Sequence, residues 1–195
     1  MSQIYIFDMG KVILKSANMK KMYQEAQAEC NLQTFNQLFY GSNKTIEVYK
    51  GIIDDIEFFR WLKEQAKSQK TPSELINLYV QSKEGVYTDT IEIIKDLKRK
   101  KQRICLLSNL KQVDYDYLKS VVNMSLFERV FLSFQMGMAK PEPEIYQAVI
   151  QELGTNQFHF FDDNDENIKE AKKWGIDAHQ VTGDSIKECF QKRLK

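Results

Sequence analysis

An excess of charge of either sign is what this chain most plainly lacks. Across 195 residues, 28 Lys and Arg stand against 27 Asp and Glu, leaving a formal charge of +1. A surface so balanced has no global field to draw in nucleic acid or an anionic membrane, so any anion binding must be local. Cysteine is scarce as well. Cys30, Cys105 and Cys189 are odd in number and far apart, with no paired spacing that would suggest a disulfide framework or a zinc site, and they read as reduced thiols. His159 and His179 are the only histidines; each stands beside apolar strand-like residues without an obvious paired base or ligand cluster, and both read as structural. No segment approaches the ~20 apolar residues of a membrane span, and Asp8 interrupts the apolar N-terminal stretch too early for a signal peptide. A soluble cytoplasmic protein is expected, monomer or homodimer, with no nucleic-acid or membrane partner.

One basic run exists, Lys98-Arg99-Lys100-Lys101, but it ends an apolar-periodic segment containing Ile91, Ile94 and Leu97. Cations favour a helix C-terminus, so the run reads as a solvated helix end. No internal repeat or low-complexity tract breaks the chain.

The organisation is that of an α/β core with a helical insertion. Ile4-Tyr5-Ile6-Phe7 is a strand rich in aromatic and β-branched residues. From about Asn18 to Tyr87 the pattern is helical and aromatic, with Phe35, Phe39, Tyr40, Tyr49, Phe58, Phe59, Trp61 and Tyr79 mostly filling a core of its own. Thr71-Pro72-Ser73-Glu74 combines an N-cap threonine, proline at the first helical position and glutamate three after the cap; Asp54-Asp55-Ile56-Glu57 looks like a second helix start. After Thr88 helices alternate with strands at about 103–108, 129–133, 158–162 and 178–181. That alternation predicts a doubly wound parallel sheet, with a core of residues 1–16 and 88–195 and a helical cap of 17–87.

Four strand or helix ends gather polar residues. Asp8 ends the first strand, where open α/β sheets put their ligands, although an aspartate accepting backbone hydrogen bonds in a turn would look the same. Ser108-Asn109 ends the second strand and can donate to an anion, or the serine can cap a helix. Lys140-Pro141 sets a lysine just before an expected helix over 141–153, a placement unfavourable unless a negative group lies between, or else a surface lysine. Phe158-His159-Phe160-Phe161 runs into Asp162-Asp163-Asn164-Asp165-Glu166, followed by Asn167, with more carboxylates than one helix cap needs. Adjacent strand residues point to opposite faces, so one of Asp162 and Asp163 is expected to face Asp8 while the other orients a neighbouring loop. Hard oxygen ligands from two strands suit Mg²⁺.

The ordered set FDMGKV, LLSN, AKPEPEIY and FFDDNDENI resembles the haloacid dehalogenase-like hydrolase superfamily, and its subgroup of small sugar-phosphate phosphatases that begin FD-x-G. The resemblance covers the core, and the helical insertion sits where that superfamily carries its cap. It implies that Asp8 is the nucleophile of a Mg²⁺-dependent phosphatase acting on a small phosphorylated metabolite through an aspartyl-phosphate. It further implies Asp8, the Gly10 carbonyl and Asp163 as metal ligands, Ser108, Asn109 and Lys140 on the phosphoryl oxygens, and Asp162 and Asn167 in support. Lys11, unusual for the subgroup, either adds charge near the phosphate or points to solvent.

Gly10 departs from the pattern, since most phosphatases of the superfamily carry there an aspartate that protonates the leaving alcohol. Loss of such an acid is worth roughly 10²–10⁴ in rate, which favours a good leaving group such as the anomeric oxygen of a sugar 1-phosphate. True dehalogenases also lack that acid. A metal-independent 2-haloacid dehalogenase is therefore the alternative, and a catalytically weakened phosphate-binding regulatory protein is a third reading.

Overall fold

The computed structural model describes residues 2–182 and 186–191. Its centre is a parallel sheet of five strands in the order β3-β2-β1-β4-β5, formed by β1 (Ile4–Phe7), β2 (Arg103–Ser108), β3 (Arg129–Leu132), β4 (Phe158–Asp162) and β5 (Asp177–Gln180). Alternation along β1 sends Ile4 and Ile6 into a core with Phe158, Phe160, Ile145 and Val149, while Phe7 packs on the other face with Phe161, Ile94 and Leu106. Both faces are thus apolar, as a sheet covered on two sides requires.

Five helices lie between β1 and the rest of the core: α1 (Met19–Glu25), α2 (Leu32–Tyr40), α3 (Asn43–Tyr49), α4 (Asp55–Ala66) and α5 (Pro72–Gln81). They bury a third core of Phe35, Phe39, Phe58, Phe59, Leu62 and Leu75, bound by edge-to-face ring pairs such as Phe39 with Phe58 at 5.6 Å. The expected helix starts are present. Asp54 caps α4, and Thr71 with Glu74 forms a full capping box at α5. The core continues with α6 (Thr88–Arg99), α7 (Gln112–Val121), the short α8 (Ser133–Met136), α9 (Pro143–Leu153), α10 (Asp165–Lys173) and α11 (Lys187–Gln191). Lys98 and Arg99 close α6 in solvent, as expected of a basic helix end.

One boundary is corrected. The helix expected from Pro141 begins at Pro143, because Glu142 precedes a proline and is held extended at φ −60°, ψ 135°. Lys140 therefore stands in a turn three residues ahead of α9, fully buried rather than on the surface. Among the described residues no helix is long and apolar enough to cross a membrane.

Candidate active site

The parallel register pairs Phe7 with Phe161 and with Leu106, so β1, β4 and β2 end side by side. Asp8 continues that ladder, its N–H donating to the Phe161 carbonyl at 2.8 Å, which sets it level with Asp162. Between the two carboxylates lies the ammonium of Lys140, 2.7 Å from Asp8 Oδ1 and 2.5 Å from Asp162 Oδ2, and it donates further to the Leu107 carbonyl at 3.0 Å. All three donors of this buried lysine are used. Burial alone would lower its pKa, but the carboxylates of Asp162 and Asp8 outweigh that and raise it. For Asp8 the balance runs the other way: burial raises its pKa against the pull of Lys140, and Asp162 raises it further.

The surrounding polar residues fix this trio. Ser108 Oγ donates to Asp8 Oδ1 at 2.8 Å. Asn109 joins Lys140 by two backbone contacts, its amide donating to the Lys140 carbonyl at 2.7 Å and its oxygen accepting the Lys140 N–H at 2.8 Å. Asn167 donates to both oxygens of Asp162 at 3.0 Å. Ser108 and Asn167 thus orient the carboxylates of Asp8 and Asp162, while Asn109 fixes the backbone at Lys140.

Asp163 lies past the strand end, more open than its neighbour, and pairs with the Lys11 ammonium at 3.0 Å. Lys11 holds a left-handed φ of +54°, its N–H bonded to the Leu14 carbonyl at 2.8 Å, and this turn aims its side chain at Asp163. Asp8, Asp162 and Asp163 each offer an oxygen within 4.8 Å of the others. A cluster of hard anionic oxygens, already met by two ammonium groups, fits a small divalent cation such as Mg²⁺. At Gly10 a Cβ would meet only Asp8 Oδ2, at 3.7 Å, so the missing side chain is not excluded by crowding.

Beside the turn that follows Asp8 a cavity of about 520 Å³ opens between core and cap. Met9, Gly10, Lys11 and Asn109 line its core side; Tyr40, Tyr49, Tyr79 and Lys83 line its cap side, and Asp114 lies at the junction. Sequence reasoning missed this junction. Asp114 of α7 accepts from Tyr79 Oη at 2.7 Å and Lys83 Nζ at 2.6 Å, both from the cap, and from the Lys111 N–H at 3.2 Å. The wholly buried Lys111 ammonium has no hydrogen-bond partner among the described residues and stands 3.7 Å from Asp114 Oδ2 among the rings of Phe39, Tyr49, Phe58 and Tyr79, 4.4–5.4 Å from their centroids. Its only sequence signal is its place two residues after Asn109.

The two histidines, read as structural, are not isolated: both approach Asp177 at the far side of the sheet.

A family model described as haloacid dehalogenase-like hydrolase matches residues 3–175 of this chain. A protein of Saccharomyces cerevisiae described as uncharacterized is 32% identical over 102 residues, 47% of this chain and 33% of the yeast protein. The sesquiterpene phosphatase astK of Aspergillus oryzae is 28% identical over 104 residues, 52% of this chain and 53% of the relative. The chain thus spans between a third and about half of the length of these relatives. In fold it is similar to the HAD family enzyme BT-2542 of Bacteroides thetaiotaomicron, solved in complex with magnesium and inorganic phosphate. That likeness has a TM-score of 0.81 and 22% identity, covering 97% of this chain and 100% of the other.

Proposed function

Because this chain belongs to the haloacid dehalogenase-like hydrolase family, we propose that it is a Mg²⁺-dependent phosphatase of small phosphorylated metabolites, acting through an aspartyl-phosphate on Asp8. The observation that carries this reading is the convergence of three carboxylates, Asp8, Asp162 and Asp163, within 4.8 Å of one another beside the buried ammonium of Lys140. Like charges so close repel unless cations join them. The magnesium and phosphate bound to the Bacteroides protein, and the phosphatase activity named for the Aspergillus relative, support the same reading.

In this reading Asp8, the Gly10 carbonyl and Asp163 hold the ion, while Asp162 and Asn167 fix the groups around it. When bound, Mg²⁺ offsets negative charge on the phosphoryl oxygens as they approach Asp8. Lys140 holds Asp8 in place by its 2.7 Å contact and offers positive charge to the same oxygens. Ser108 and Asn109 complete the phosphoryl-binding edge, and Lys11 adds charge at its rim. A carboxylate oxygen of Asp8 forms a bond to phosphorus as the bond to the leaving oxygen breaks. Water then attacks the aspartyl-phosphate, the bond between phosphorus and Asp8 breaks, and inorganic phosphate leaves with Asp8 restored.

Gly10 offers no acid to protonate the departing oxygen, so the reading favours esters whose leaving group stabilises its own charge, a sugar 1-phosphate above all. Gly10 also suits a metal-free 2-haloacid dehalogenase. The clustered carboxylates weigh against that alternative, because a second and third anion beside Asp8 would hinder a reaction that needs no cation.

The test is phosphate release from a graded series of esters with Mg²⁺. Sugar 1-phosphates and aryl phosphates should turn over faster than phosphates on primary alcohols, and EDTA should stop all of them. Release of phosphate from none of the series would overturn the proposal; chloride release from 2-chloropropionate in EDTA would favour the dehalogenase.

A further inference from the structure

The only two histidines of the sequence lie on neighbouring strands away from Asp8. Strand register sets His159 of β4 opposite Asp177 of β5, and His179 follows two residues along β5, so all three side chains leave the same face of the sheet. Each carboxylate oxygen of Asp177 meets one imidazole: Oδ2 is 3.1 Å from His159 Nδ1, and Oδ1 is 2.8 Å from His179 Nε2. The second contact has the distance of a hydrogen bond without its alignment. His179 Nε2 is closed to solvent and has no hydrogen-bond partner among the described residues. A buried polar nitrogen left in that state is costly, and a third atom set between it and the carboxylate would satisfy it.

The geometry suits a metal ion as that third atom. One ligand atom from each of the three residues lies within 4.8 Å of the other two. Ligands at about 2.0–2.2 Å from a tetrahedral ion stand about 3.3 Å apart, near the 3.1 and 2.8 Å from the two imidazoles to the carboxylate. We propose that His159 Nδ1, His179 Nε2 and Asp177 form a site for a divalent transition ion of the zinc class, separate from the carboxylate cluster around Asp8. Two imidazoles and one carboxylate suit Zn²⁺ or Co²⁺ and not Mg²⁺, which takes oxygen ligands. Three protein ligands leave a further position for water. The half-exposed Asp177 opens the site to solvent. An ion there ties β5, the edge strand, to β4, whose last residue Asp162 accepts the Val181 N–H at 2.9 Å. Its expected effect is on stability.

The test uses the full chain stripped of metal. Adding Co²⁺ should produce the visible absorption of a low-coordinate, nitrogen-ligated ion, equimolar Zn²⁺ should abolish it, and Zn²⁺ should raise the melting temperature. H159Q and H179Q should each lose the band and the thermal shift while melting with the wild type in EDTA; D163N should keep both. Zinc K-edge absorption on the wild type, which depends on no variant folding, should count two imidazoles per ion. Absence of the band and of the thermal shift in the wild type, survival of both in the histidine variants, or a zinc spectrum without imidazole would overturn the site and leave a plain network of histidine and aspartate ion pairs.

Discussion

Lys140 Nζ stands 2.7 Å from Asp8 Oδ1, although 132 residues separate the two in the chain. The same ammonium reaches Asp162, so one cation holds two buried carboxylates in register at the ends of adjacent strands. This contact makes the site an electrostatic unit.

Lys140→Met keeps the length of the side chain and removes its charge. Asp8 and Asp162 then face each other without the cation, and breaking such a buried pair costs about 3–5 kcal/mol. A fall of that size in unfolding free energy from urea titration, together with loss of phosphatase activity, is expected. Unchanged stability would contradict the role given to Lys140.

At the cap junction the order of two variants is informative. Asp114→Ala strands two buried ammonium groups, Lys83 and Lys111, and should cost about 3–5 kcal/mol. Lys111→Met removes a cation that has no hydrogen-bond partner among the described residues and leaves Asp114 with Lys83, Tyr79 and a backbone N–H, so its loss should be clearly smaller. Urea midpoints give the comparison, and the reverse order would contradict the account.

Asp114 also sets a pH dependence. Burial would raise its pKa, but Lys111 and Lys83 outweigh burial and hold it well below the ordinary carboxylate range. A carboxylate with a depressed folded pKa stabilises fully above its unfolded value of about 3.9 and loses that contribution as pH falls through the folded one. The stability gap between wild type and Asp114→Asn should therefore hold steady above about pH 5 and shrink as pH is lowered from about 4 toward the folded value. A gap independent of pH would count against the buried pairing.

Much of this was legible in the sequence, for identifiable reasons. Apolar strands running into Asp8, Ser108 and Asp162 announced the sheet and the edge where the polar residues meet, because a parallel strand buried on both faces leaves a nearly unbroken apolar run. The cap contacts were not legible. Lys111, Asp114, Tyr79 and Lys83 come from α5, α7 and the residues flanking them, whose side chains meet only through tertiary packing, and a lysine and an aspartate at a helix start look like solvent-facing caps. The pairing of the histidines with Asp177 was not legible for the same reason: Asp177 meets His159 across a strand pair that is 18 residues apart in sequence.

Gly10→Asp tests the limit set by the missing acid. A new Cβ would approach only Asp8 Oδ2, at 3.7 Å, so the variant should fold. Turnover of primary alkyl phosphates should rise by roughly 10²–10⁴, the usual worth of a placed general acid, while aryl phosphates gain little. Equal gains on both classes, or none on either, would show that protonation of the leaving group is not what Gly10 withholds.

The central claim, that Asp8 is the nucleophile of a metal-dependent phosphoryl transfer, is tested most directly by aryl phosphate turnover in the wild type and in Asp8→Asn, each with Mg²⁺ and with EDTA. An aryl leaving group needs no acid, so Gly10 does not obscure the result. Turnover should require Mg²⁺ and fall roughly 10³-fold or more in Asp8→Asn. Turnover that persists in EDTA or survives in Asp8→Asn would contradict it.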